Sequence, residues 1–314
     1  MAHNLYLGMY TYSVKKKRSK AGSTLDNNEF LEEAYPNLDG NKFENGFVQD
    51  IISLLDEKAY KNAQNTHGAI LDDKNLNITN RTLDILIDGG ITGIKQFIID
   101  DDGTKRELSD GDIVGLKFFA RFWLPAGTKT AYVFIQKYGS MSIKPIFDSI
   151  LSDLLGNYNF TIAQSKLKAT TTKERLKNFL QNAALKNITV VSTTSINTTG
   201  AAEASSVEVK LKNFNPIGKT KNIARLENIR PALASHGFTI GDRRYDIKGT
   251  YEYSHDGIVE ERTIKLDATE ETINIVPNVV VPPNCINSDN YPIFQEMINL
   301  VNIEMEQVKV ESKL

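Results

Sequence analysis

The chain has 314 residues, of which 40% are hydrophobic, 24% charged and 9% aromatic, which excludes a disordered or collagen-like chain and allows about two domains. Its one cysteine, Cys285, excludes an internal disulfide framework and a cysteine-rich zinc site, and no apolar run approaches the ~20 residues of a membrane-spanning helix. Thirty-seven Lys+Arg against 39 Asp+Glu leave a net charge of −2, so the placement of charge carries more information than its total.

Residues 5–14 (LYLGMYTYSV) form the first expected strand, with Gly8 marking a bulge or a close backbone approach. Residues 15–28, which open on KKKRSK, read as an exposed loop. Residues 41–57 place Phe43, Phe47, Ile51, Leu54 and Leu55 on one stripe of an amphipathic helix in which Gly46 is a local cost. Four strands follow at 81–87, 94–99, 113–123 and 130–138, separated by Asp88-Gly89-Gly90, Asp102-Gly103 and Pro125-Ala126-Gly127, as in an antiparallel meander. In the last of these, Ala131, Val133, Ile135 and Lys137 alternate with Tyr132, Phe134, Gln136 and Tyr138, so both faces should be covered. Residues 143–155 carry Ile146, Phe147, Ile150, Leu151, Leu154 and Leu155 at helical spacing, with Pro145 in the first turn. Thr171 or Thr172 caps a helix running to Leu185, and 187–191 is a strand.

Residues 192–206 (STTSINTTGAAEASS) hold only small or polar side chains apart from Ile196 and mark a linker or exposed loop. Beyond it, 206–211, 245–254, 258–266 and 272–275 read as strands, His255-Asp256-Gly257 as a hairpin turn, and 293–309 as a closing helix. The expected fold class is therefore α+β: an N-terminal domain over 1–191 with an antiparallel sheet and helices, the linker 192–206, and a smaller β-rich domain over 207–314 ending in a helix. No repeat of solenoid period is present.

Charge is segregated in the last third. Residues 207–250 hold nine basic and four acidic side chains, a net +5, whereas 251–314 hold four basic and twelve acidic ones, a net −8. The basic set is Lys210, Lys212, Lys219, Lys221, Arg225, Arg230, Arg243, Arg244 and Lys248, and Arg243-Arg244 precedes Tyr245. Clustered lysine and arginine beside an aromatic can contact phosphate and stack a base, which points to a non-catalytic module that binds or senses DNA or RNA. A solvated face neutralised by the acidic end of the same domain is the competing explanation. Two other functions stay open. A scaffold or oligomerising subunit would pair the +5 and −8 segments with a protein partner or a second copy. A metal-dependent nuclease would use Asp246 and Lys248, a D-x-K pair on one strand face, with Glu227 or Asp242 as the further acid.

Other chemistry is unmarked. Cys285 lies among Pro282, Pro283 and Asn284 without a nucleophile elbow, and His3, His67, His236 and His255 show no ligand spacing. Asp100-Asp101-Asp102-Gly103 lacks the ligand order of a calcium loop, and Gly89-Gly90-Ile91-Thr92-Gly93 does not lead into a helix as a phosphate loop would. Phe118, Phe119, Phe122 and Trp123 read as a buried strand. No cofactor is implied. The absence of a signal-peptide pattern leads to the expectation of a cytoplasmic protein without membrane insertion.

The stretch YVFIQKYGSMSIKPIF, residues 132–147, is a strand ending in Gln-Lys-Tyr-Gly and feeding a helix. In this it resembles uncharacterised accessory proteins of prokaryotic anti-phage defence loci. The resemblance implies an intracellular bacterial protein that senses nucleic acid or a partner during infection, and it transfers no site residue.

Overall fold

In a computed structural model the described residues are 5–20, 22–56, 59–92, 97–99, 101–108, 112–139, 141–182, 184–192, 207–212, 230–231, 233–239, 245–255, 258–265 and 278–314. The fold is α+β, with a large antiparallel sheet and a C-terminal helix. Contacts divide the chain into one unit made of Met1–Thr171 and Asn278–Leu314 and a second made of Thr172–Pro277. This differs from the expected boundary at 192–206. The strands on either side of that stretch pair with each other, so it lies within the second unit, and the C-terminal helix belongs to the first. The segregated charge of the last third is divided accordingly: the first unit carries a formal −4 and the second +2.

The first unit is built on β1 (Leu5–Tyr12), β3 (Tyr60–Lys61), β4 (His67–Asn77), β5 (Thr82–Ile91), β8 (Val114–Trp123), β9 (Ala131–Tyr138), β11 (Lys168–Thr170) and β16 (Val279–Val280). They lie in the order β11-β1-β9-β8-β5-β4-β3, with β16 also on β1, all antiparallel. Strand alternation divides this sheet into two inner faces. On one, Leu83, Phe122, Val133 and Tyr10 form a cross-strand row. Phe122 meets the rings of Phe47 and Phe147 at 6.2 and 5.6 Å, so α2 (Gln49–Asp56), the π-helical turn Phe43–Val48 before it, and α3 (Lys144–Asn157) cover this face. On the other face Asp84, Arg121, Phe134 and Met9 share a row beneath the C-terminal helix α5 (Phe294–Ser312). There Phe119 meets Phe294 at 6.0 Å. Both faces of β9 are thus buried, as its alternation predicts.

The apolar stripe of α3 is entirely buried and Pro145 sits in its first turn, as expected. Several sequence expectations change. The strand over 5–14 breaks at Ser13, after which β2 (Val14–Lys16) pairs with β10 (Phe160–Ile162). The 15–28 loop is therefore shorter, and it ends in α1 (Asn27–Ala34), which Asp26 and Glu29 start with a reciprocal capping box. Gly8 makes a close approach rather than a bulge, since a Cβ there would stand 3.0 Å from the Tyr10 ring. The expected strand over 94–99 does not join the meander: Phe97–Ile99 (β6) pairs with Lys105–Glu107 (β7) in a separate ribbon. Gly46 is more than a cost in its helix, because a Cβ there would fall 2.7 Å from the Tyr35 ring.

The second unit is smaller. Thr172 caps α4 (Lys173–Asn182) by accepting from the Arg175 N–H at 3.3 Å; the helix stops three residues before Leu185. Leu185 instead belongs to β12 (Ala184–Ser192), in a sheet with β13 (Val207–Lys212), β14 (Tyr245–His255) and β15 (Ile258–Lys265), ordered β13-β12-β14-β15. His255 stands opposite Ile258, so β14 and β15 pair as the expected hairpin requires, while its turn residues Asp256 and Gly257 lie outside the described residues. The expected strand at 272–275 lies outside the described residues. Among the described residues no helix is long and apolar enough to cross a membrane.

Candidate nucleic-acid interface

Alternation divides the side chains of the second unit's sheet between two faces, one buried and one that is exposed or half-buried among the described residues. Leu185, Ile188, Val190, Ile247 and Tyr251 are buried on the covered side. There α4 packs on β14 and buries Phe179, and Phe238 meets the Tyr245 ring edge-on at 5.4 Å. The opposite side carries Asn187, Thr189, Val191, Glu208, Lys210, Asp246, Lys248, Thr250, Glu252, Glu261 and Thr263, all exposed or half-buried.

Register arranges this open face in rows. At one end Glu208, Val191 and Asp246 lie side by side. The next row is Lys210, Thr189, Lys248 and the position of Lys265; the one after is the position of Lys212, then Asn187, Thr250 and Thr263. The following row brings Glu252 opposite Glu261. A β-bulge between Leu185 and Asn187 delivers Lys186 to that acidic pair, 2.6 Å from Glu252 and in contact with Glu261. The two carboxylates, Glu252 first, hold the Lys186 ammonium above the ordinary lysine range. Acids therefore occupy the two ends, while the two middle rows hold four lysine positions, three threonines and an asparagine, with no carboxylate. Across three inter-strand spacings this band is about 14 Å wide.

The residue types of such a band offer ammonium groups for phosphate oxygens and hydroxyl or amide groups for hydrogen bonds. Thr250 and Thr263 already share a hydrogen bond of 3.0 Å across β14 and β15. Lys248 reaches back to Asp246 at 3.3 Å, so the two residues of the D-x-K pair form an ion pair. Its strand, β14, is interior to the sheet and not an edge. Among the described residues no group of three or more His, Cys, Asp or Glu could hold a metal ion.

Of the nine basic residues singled out by sequence, Lys210 and Lys248 share a row and Lys212 holds a position in the next. Arg230 is exposed in a separate helical turn, and the Phe238 that follows it lies against the covered side. Lys219, Lys221, Arg225, Arg243 and Arg244 lie outside the described residues, as do Glu227 and Asp242. Sequence reasoning did not place Lys265, Thr189 or Asn187 at the site, because only strand pairing brings them there. Cys285 is buried in the first unit with its thiol pushed up by burial and then by Glu296, and it has no role at this face. No protein-family model, curated protein or solved structure matches the chain.

Proposed function

We propose that the protein is a non-catalytic nucleic-acid-binding module that holds DNA or RNA by its phosphates on the open face of the β12–β15 sheet. The observation that carries this reading is the carboxylate-free double row containing the positions of Lys210, Lys212, Lys248 and Lys265. Residues 132–147 supply the biological setting, an intracellular bacterial system of the anti-phage kind. They span most of β9 and the start of α3, two elements of the first unit whose own apolar residues are buried, so they lie apart in sequence from the proposed binding surface. The scaffold alternative pairs the +5 and −8 segments with a protein partner or a second copy, and the −8 segment does not form one surface block, since 251–277 and 278–314 belong to different units. The nuclease alternative lacks a gathered ligand set among the described residues.

Fluorescence anisotropy of labelled single-stranded DNA and RNA across a salt series tests the proposal. Four lysine contacts correspond to a slope of log K against log[salt] of about −3, and each contact removed flattens it by about 0.7. The Lys210→Gln, Lys248→Gln double variant should therefore lower the slope by about 1.4 and weaken binding across sequences alike. No binding, or binding whose salt slope ignores both substitutions, overturns it. Magnesium-dependent loss of signal through strand cleavage would transfer the assignment to the nuclease.

A further inference from the structure

A cavity of about 410 Å³ in the first unit uses none of the lysine-band residues. It lies between α1, which contributes Asn28, Leu31 and Glu32 from one helical face, and residues 40–43, which contribute Lys42 and Phe43; Arg81 enters from the turn between β4 and β5. Its volume falls in the range of small-molecule sites.

The charges in this cavity are arranged unequally. Arg81 donates through Nη1 to Asn28 Oδ1, a neutral partner, and among the described residues no carboxylate lies within ion-pair distance of its guanidinium. A guanidinium has five N–H donors in a planar fork suited to two oxygens of one anion, so donors remain after the bond to Asn28. Lys42 has a covered side chain, 16% exposed, and gives its ammonium to Glu32, whose side chain is 67% exposed. Glu32 can therefore swing into water and release Lys42. Leu31 and Phe43 are buried and make the apolar floor. The backbone adds a second sign that the Arg81 side chain matters. Arg81 has φ 51°, a left-handed conformation that suits glycine or asparagine better than arginine, and it is fixed there by bonds to Ile78 and Leu124. The turn alone does not ask for arginine.

We infer that this cavity binds a small organic oxyanion, a phosphate or carboxylate group gripped by Arg81 and by Lys42 after Glu32 yields, with the body of the ligand on Leu31 and Phe43. With no nucleophile in the lining and Glu32 as its one carboxylate, the site binds and does not catalyse.

Isothermal titration calorimetry of the full chain with inorganic phosphate, ribose 5-phosphate and succinate distinguishes the two oxyanion sources. Saturable binding of at least one probe is expected. Arg81→Asn, which keeps the left-handed turn and removes the fork, should weaken it at least about tenfold. Glu32→Gln should tighten it about two- to fivefold, because Lys42 no longer has to leave a carboxylate. The Glu32 result separates binding from a merely structural role for Arg81. Should Arg81→Asn lower the thermal midpoint, Lys42→Gln carries the test and should weaken binding at least about threefold. Three silent probes, an affinity indifferent to Arg81→Asn or Lys42→Gln, or weakening by Glu32→Gln overturns the inference.

Discussion

Each unit places an acid and a base together on a face of an antiparallel sheet, with opposite consequences. In the first, Asp84 and Arg121 face each other beneath α5 at 1% and 2% side-chain exposure. Arg121 makes a two-pronged bond to Asp84, with Nη2 to Oδ2 at 3.0 Å, and adds Asn302 Oδ1 at 2.6 Å and the Ile298 carbonyl at 3.5 Å; Asn75 satisfies Asp84 further at 3.2 Å. In the second, Asp246 and Lys248 lie 28% and 43% exposed. A buried pair is fixed structure whose partners cannot be lost cheaply, whereas a half-exposed pair is screened by water and contributes little to stability. The largest effect should come from breaking the covered pair. Arg121→Ala leaves a buried carboxylate without its partner and should destabilise the first unit by about 3–5 kcal/mol. Trp123, the single tryptophan, is buried there against Tyr132, so its fluorescence in urea reports that unit directly. Arg121→Met with Asp84→Leu should regain most of the loss, while Lys248→Ala should leave the tryptophan transition in place. An Arg121→Ala protein within 1 kcal/mol of the parent would contradict the contrast.

Alkali probes the buried phenols of the first unit, and burial raises Tyr251 of the second unit likewise. In the first unit the Tyr35 and Tyr158 hydroxyls both donate to Asp50 Oδ2, at 2.7 and 2.8 Å, and Tyr60 donates to Asp153 at 2.6 Å. Burial first, and then these carboxylates, raise the phenols above their ordinary range; Tyr158 is pushed up to about 12, and burial pushes Tyr138 up to about 12. A raised pKa in the folded state means the neutral phenol is favoured there. The resulting stability is complete below the unfolded value of about 10 and is lost as pH rises through the folded values. The first unit should therefore weaken from about pH 10 upward, with tyrosinate absorbance growing in step with loss of the buried Trp123 signal. Tyrosines that ionise near pH 10 while the tryptophan environment stays intact would refute it.

Much of the architecture is local and was legible as such. The buried stripe of α3 follows from spacing within fourteen residues, and the alternation of β9 from eight. The pairing of β14 with β15 follows from the local sequence His255-Asp256-Gly257 between them. What escaped is non-local or short. β4 breaks its own alternation at a bulge between Leu71 and Asp73 and is mostly polar, so no period marks it. α1 spans eight residues, and its legible signal, Asp26-x-x-Glu29, is a cap and not a stripe. The insertion of the second unit into the first is invisible because it depends on α5 returning, after the whole inserted unit, to cover Arg121. The candidate interface shows the same limit at smaller scale: linear clustering finds Lys210 and Lys248, but only register puts Lys265 in their row.

Glycine substitutions give the finest comparison of the two sheets. In the first unit Gly68, Gly90 and Gly115 form one row across β4, β5 and β8. A Cβ at Gly90 would stand 2.0 Å from the Val114 carbonyl oxygen, a backbone atom held in the ladder. In the second unit a Cβ at Gly249 would stand 2.9 Å from the edge of the Tyr251 ring and 3.4 Å from Leu185 Cδ1, both parts of side chains. Backbone cannot yield without opening the β5–β8 pairing, whereas a ring can tilt. Gly90→Ala should therefore cost about 1–3 kcal/mol in the tryptophan-monitored transition. Gly249→Ala should cost less than about 1 kcal/mol, read by amide exchange on β12 and β14. Equal losses would mean that the β12–β15 sheet is set as rigidly as the doubly covered one. In that event the lysine band would be a preformed surface, and the affinity change in the Lys210→Gln, Lys248→Gln variant could be read as lost contacts alone.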